Sequence, residues 1–148
     1  MSTEANKATT RRFYDEVLSQ HNLAAFDELC TATFVEHGPG LTPDHGAEAT
    51  KQMLGSLWTA FPDARVTVED MIAEGDKVVA RVRSQLTHQG EFMGLPPTGK
   101  AVTLTVMDLL RFEHGKIVEM WAEADMLGLL QQLGAIPKPG QATPEPAA

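Results

Sequence analysis

Of its 148 residues the chain spends one on cysteine, one on tyrosine and two on tryptophan, and its lysines and arginines are outnumbered twelve to twenty by aspartate and glutamate. The single cysteine, Cys30, can form neither an internal disulfide nor a cysteine-cluster metal site, and it reads as a small buried hydrophobe in an amphipathic helix. The formal charge of −8 comes with no Lys/Arg block, which argues against nucleic acid or an anionic membrane surface as partner and favours a small, weakly charged molecule. No run approaches the roughly 20 apolar residues of a membrane span. The opening MSTEANKATTRRF has no apolar core of the kind a secretory leader needs, so a cytoplasmic location is expected. The five histidines, His21, His37, His45, His88 and His114, show no zinc-ligand spacing, and GLPPTGK is wrongly spaced for a phosphate-cradling loop. Neither a metal nor an organic cofactor is expected.

What is present is a change of period. Phe13, Tyr14, Val17 and Leu18 fall at helical spacing in a segment that Ser2 or Thr3 can cap, and Asn22 caps a shorter helix carrying Leu23, Phe26, Leu29 and Cys30. TATFVEH reads as a short strand and GPGLTPDHG as a loop. Ala49, Met53, Leu54, Leu57, Trp58 and Phe61 then form the clearest helical stripe, ended by Pro62. Beyond it the apolar period is two. Val66, Val68 and, less cleanly, Ile72 lead to a turn at Glu74-Gly75-Asp76. Val78, Ala80, Val82, Ser84, Leu86 and His88 share one parity, as do Val102, Leu104, Val106, Asp108, Leu110 and Phe112. A turn at Glu113-His114-Gly115 introduces a last strand from Lys116 to about Asp125. Helices followed by long antiparallel strands predict one α+β domain over residues 1–135, a strongly curved antiparallel sheet with the helices on its concave face. Residues 136–148, rich in proline and small residues, are expected to be a disordered tail.

Strand parity also nominates a site. Side chains alternate between the faces of a strand, so His88 goes wherever Val78, Val82 and Leu86 go, and Asp108 goes with Val106 and Leu110. A carboxylate on an apolar face is costly unless it is paired, hydrogen-bonded or protonated, which marks Asp108 as a functional group with a raised pKa. His37, ending the short strand with Val35, is a third candidate for the same cavity. Tyr14, Met53, Leu57, Trp58, Phe92, Val106, Met120 and Ala122 are expected to line it. For the helical residues among these, plain core packing is the competing reading.

Several segments together are specific. RRFYDEVLSQHNLAAFDELCTATFVEH, FPDARVTVEDMIAEGDKVVARVRSQLTHQGEFMGLPPTGKAVTL, LLRFEHGKIVEMWAEAD and LLQQLG occur in this order, with THxGEFxGxPPTG and RFxxGKIVExW the most diagnostic parts. The chain resembles the SnoaL-like polyketide cyclase family, within the nuclear transport factor 2-like superfamily, from about residue 8 to Gly134. The resemblance implies a cone-shaped α+β barrel around one apolar pocket, usually a homodimer. It also implies a cofactor-independent intramolecular aldol closure driven by a pocket acid. Carried over, His88 matches the histidine of THxGE, and Asp108 falls where some cyclases have a pocket histidine. The catalytic aspartate of those cyclases aligns with Ala122, so here Asp108, with His88 and His37 polarising a carbonyl, is the expected acid/base group. Isomerisation, epoxide opening and non-catalytic binding of a small apolar molecule remain open alternatives. Met107, Leu109 and Trp121, on the parity opposite the core, are expected at a dimer interface.

Overall fold

The computed structural model describes residues 2–38 and 44–140; part of the loop expected over 38–46, and residues 141–148 of the expected tail, lie outside that range. Ser2 caps the first helix by accepting from the Ala5 amide, and α1 (Thr3–Arg12) runs on into a π-helical stretch, Phe13–Ser19, closed by the Gln20 amide donating to the Asp15 carbonyl. Asn22 caps α2 (Leu23–Leu29) through its side chain, as expected. The remaining elements are β1 (Cys30–His37), β2 (His45–Gly46), α3 (Ala47–Ala60), β3 (Arg65–Glu74), β4 (Lys77–Thr87), β5 (Ala101–Glu113), β6 (Lys116–Ala124) and α4 (Met126–Gln132).

The strands form one six-stranded sheet in the order β2-β1-β6-β5-β4-β3, curved and not closed. All neighbours are antiparallel except β1 and β6, which run parallel, so the sheet is mixed where a purely antiparallel one was expected. The long strands are joined by the two-residue turns that right-handed twist favours: Gly75 at positive φ leads the β3–β4 turn, and His114 and Gly115, both at positive φ, make the β5–β6 turn. Helix α1 lies over β3 and β4, the π-helical stretch over β3, and α3 over β1, so the helices cover one face of the sheet. Beneath them Phe13, Tyr14, Val17, Phe26, Phe34, Val78, Leu110 and Ile117 are buried in one core; a second cluster, around Phe61, Leu86, Val102, Leu129 and Leu133, fills the other end, and Trp58 packs against both. Among the described residues no helix is long and apolar enough to cross a membrane.

Several details depart from the sequence reading for local reasons. A bulge between Val68 and Asp70 reverses the parity of β3, so Met71 and Ala73 pack inward and Ile72 is 69% exposed. Cys30 is not helical: it opens β1, buried, its thiol pushed up to about 12 by burial. Helix α4 was not anticipated; Asp125, read as the end of β6, caps it by accepting from the Gly128 amide. At the tail, the Ile136 amide still reaches the Leu130 carbonyl and Gln131 donates to Pro137.

Past β4 the chain is clamped to the end of α3, where the Gln89 and Gly90 amides both donate to the Ala60 carbonyl. A Cβ on Gly90 would collide with the Thr59 carbonyl oxygen, a backbone atom that cannot swing aside. Gly90→Ala is therefore expected to destabilise the fold by about 1–3 kcal/mol, read as a lower urea midpoint.

Candidate active site

The buried residues include a few polar side chains, one of them a carboxyl in mid-sheet. Asp108, in the middle of β5, is 4% exposed, and its Oδ2 accepts a 2.6 Å hydrogen bond from the hydroxyl of Tyr14, which the π-helical stretch presses onto the sheet. Its neighbours across the ladder are Ala80 on β4 and Ala122 on β6, the two smallest side chains that could flank it on that face. Oδ1 is buried and has no hydrogen-bond partner among the described residues. Burial pushes the Asp108 carboxyl up to about 7; the Tyr14 hydroxyl opposes the shift and the negative charge of Glu36 adds to it. The Tyr14 phenol is raised as well, first by burial and then by the charge of Asp108. Burial thus favours the neutral Asp108 carboxyl up to about pH 7, with Oδ2 held by Tyr14.

A second carboxyl faces the same interior, and the sequence reading passed over it. Glu36, on β1, is 7% exposed, and burial raises its pKa while His45 and Thr50 favour its charged form. The His45 Nε2 lies 3.5 Å from its Oε2. The signal was available in TATFVEH, but Phe34 and Val35 are both apolar, so alternation alone leaves open which residues face inward. Phe34 and Glu36 do, and His37 does not.

His37 therefore leaves the interior group. It pairs in register with Trp121, stacks on that ring at 4.9 Å, and its two ring nitrogens meet Glu119 at 2.7 Å and Asp44 at 2.9 Å. Those carboxylates, Glu119 first, raise its pKa, and Arg111 completes the outer-face network through Glu119. His88 is on the inner face and fully buried, but it is not beside Asp108. It follows β4, whereas Asp108 sits opposite Ala80, about eight residues or on the order of 25 Å back along the strand. Its Nδ1 accepts from the Thr98 amide at 3.2 Å, which puts the ring proton on Nε2, a buried atom with no hydrogen-bond partner among the described residues. The imidazole lies 5.5 Å from Phe61, in the second cluster.

The expected lining residues divide the same way. Tyr14, Met120 and Ala122 are buried at the Asp108 end, and Val106 packs against that core. Leu57 and Phe92 belong to the His88 end, Trp58 touches both and stacks on His21, and Met53 is half-buried on α3. An open groove of about 680 Å³ has Arg81, Arg83 and Glu123 on its walls together with apolar Val82, Val106 and Met107, so Val106 also borders this groove. Among the described residues no three histidine, cysteine or acidic side chains come together as metal ligands.

A family model for the SnoaL-like polyketide cyclases matches residues 8–133. The chain belongs to this family. No curated protein matches it. Among solved structures this SnoaL-like protein is similar to AclR from Streptomyces galilaeus, a proposed hydroxylase, at 30% identity over 93% of this chain and 85% of that one, with a TM-score of 0.84. It is also similar to IdmH from Streptomyces antibioticus, a proposed polyketide cyclase, at 31% identity over 87% and 98% of the two chains, TM-score 0.80. A SnoaL-like protein from Jannaschia sp. CCS1 follows at 27% identity, 91% and 95% coverage and TM-score 0.83. The fold is accordingly the cone-shaped α+β fold of that family.

The Asp108 shift has a consequence for stability. In the folded protein this carboxyl holds its proton up to about pH 7, whereas in the unfolded chain it releases it near the ordinary aspartate value. Folded protein thus binds more protons between those limits, and the Asp108 contribution to stability falls as pH rises through that window and levels off above it. Asp108→Asn removes the contribution. Its melting temperature should match wild type near pH 4 and exceed it by roughly 5 °C at pH 8, measured by circular dichroism.

Proposed function

We propose that this protein is a cofactor-independent acid/base enzyme of the polyketide cyclase type that closes a ring in a small apolar polyketide-like ketone by an intramolecular aldol reaction. One observation carries the reading: a buried carboxyl, Asp108, titrating near neutrality, with one oxygen fixed by Tyr14 and the other unpartnered between two alanines. A carboxylic acid kept neutral by an apolar site is a hydrogen-bond donor, and a pKa near the working pH suits it to give its proton to a developing enolate and take it back. Tyr14 holds Oδ2, leaving Oδ1 to meet the substrate carbonyl. The chemistry begins with loss of a proton α to that carbonyl. The resulting enol carbon attacks a second carbonyl of the same molecule, and the new alkoxide is protonated, so no oxidant or reductant is consumed.

His88 takes a different part in this reading from the one its motif suggests. Its Nε2–H, at the far end of the interior, is suited to hold a remote carbonyl or hydroxyl of an extended substrate. The protein is proposed to act in the cytoplasm as a homodimer through the outer sheet face, a reading supported by Met107 and Ile72, both more than half exposed, beside the half-buried Leu109 and Trp121.

The test is turnover of a panel of linear and bicyclic polyketide-like ketones. Asp108→Asn should reduce turnover at least ~10²-fold, and Tyr14→Phe less, about tenfold, with an altered pH profile because one hydrogen bond to the acid is lost. Product formation by Asp108→Asn at the wild-type rate would reject the role of Asp108. Binding without conversion by either form would identify a carrier, and conversion of β,γ-enones without ring closure would make the protein an isomerase using the same first step.

A further inference from the structure

The reading above gives the carbonyl an acid and leaves the α-proton without a base. We infer that Glu36 is that base, so that Glu36 and Asp108 work as a divided pair on either side of β6, one taking the carbon-bound proton and the other holding the oxygen. This deepens the proposed function and rests on it.

Geometry carries the inference. On β6 the inner-face neighbours Met120 and Ala122 pair in register with Glu36 on one side and Asp108 on the other. The two acids are therefore two strand spacings apart and two residues out of step, which puts their Cα atoms roughly 10–12 Å from each other on one concave face. Both side chains point into the interior, and the charge of Glu36 is felt by both Asp108 and Tyr14. A base and an acid at that spacing on one face are placed to address the two ends of one H–C–C=O unit, the fragment an enolisation must grip. Among the described residues Asp108 Oδ1 has no hydrogen-bond partner, and the inner-face residues of β6 between the two acids are Met120 and Ala122.

The surroundings of the two carboxyls assign the roles. Asp108 has a phenol and two alanines around it and nothing cationic, so the neutral form is favoured. Burial raises Glu36 as well, but it has His45 at 3.5 Å and Thr50 beside it, both favouring the anion, with the thiol of Cys30, the phenol of Tyr14 and the acid Asp108 as its other titratable neighbours. An anionic Glu36 and a protonated Asp108 are the matched base and acid of one enolisation. In the step, a Glu36 oxygen takes the α-proton, the C–H electron pair becomes the carbon–carbon double bond, and the carbonyl oxygen receives the Asp108 proton. After carbon–carbon bond formation, the proton on Glu36 goes to the new alkoxide and Asp108 recovers its own from the re-forming ketone.

The experiment uses 2-tetralone, an enolisable bicyclic ketone, and 2-naphthol, a planar analogue of its enol. Exchange of the tetralone C1 protons in D2O is followed by NMR, and naphthol binding by its fluorescence. Wild type is expected to catalyse exchange. Glu36→Gln should lower exchange ~10²-fold or more while keeping 2-naphthol affinity within about threefold, because the oxygen-holding acid is untouched. Asp108→Asn should lose both exchange and naphthol affinity. Glu36→Asp, which retains a carboxylate set back by one methylene, should restore part of the exchange, and it decides the matter if the glutamine variant does not fold. Full exchange in Glu36→Gln, or loss of naphthol affinity together with exchange, overturns the assignment of Glu36 while leaving Asp108 in place. Wild type that neither exchanges tetralone nor binds naphthol overturns the proposed function, and this inference with it.

Discussion

The hydrogen bond between Tyr14 and Asp108 holds the two halves of the molecule in a single geometry. It joins the N-terminal helical segment to a central strand of the sheet, residues 94 apart in sequence, inside a largely apolar core. A buried carboxyl without a donor would cost several kcal/mol in that environment, and a buried phenol without an acceptor would cost less but in the same direction. Each group is therefore tolerable only because the other is there. That dependence fixes where the helix may sit over β5, and it accounts for the helical widening at Phe13–Ser19: a π-helical stretch shifts side chains around the axis, and here it delivers Phe13, Tyr14 and Val17 to the interior together.

Set against the expectation that the family's acid stands at position 122, the register is informative. Ala122 is the direct cross-strand partner of Asp108. Side chains directly opposite in a ladder have their Cβ atoms only about 5 Å apart, so a carboxyl moved from β6 to its partner on β5 still addresses the same small volume from the adjacent wall. In the proposed function the acid stands one strand away from the position the resemblance implies, opposite Ala122. Two acids at both positions would repel and drive one another neutral, which makes an alanine a sensible companion to Asp108.

Much of this was legible in the sequence, and the failures have physical causes. β4 and β5 are long enough for one parity to carry the apolar residues despite adjacent pairs such as Val78-Val79 and Leu109-Leu110, and the face of His88 and Asp108 followed from it. On β1 two adjacent apolar residues, Phe34 and Val35, made the parity ambiguous; choosing Val35 put His37 inside and hid Glu36. On β3 a bulge, which has no residue signature of its own, turned Ile72 outward. Helix α4 is only seven residues long and contains Gly128, so its propensity is weak; its cap at Asp125 and the burial of Leu129 against the second cluster hold it in place. Parity could place His88 and Asp108 on one face, but it carries no information on separation along the strand, and so it grouped residues that lie at opposite ends of the interior.

The charged groups also separate structure from chemistry. Asp63, Asp76 and Glu119 lie near the surface, and each is held below its ordinary value by a partner: Thr87, Lys77 and His37 respectively. These carboxylates are more comfortable folded than unfolded, and their presence is explained by the contacts they make. Asp108 and Glu36 are the reverse, since burial raises both and their partners only reduce the cost. An amide at 108 would keep the Tyr14 bond without the charge, and an apolar side chain at 36 would pack beside Phe34 and Met120, so architecture alone calls for neither acid. Groups that tax the fold and flank one strand on the same face are the ones the proposed proton transfers use.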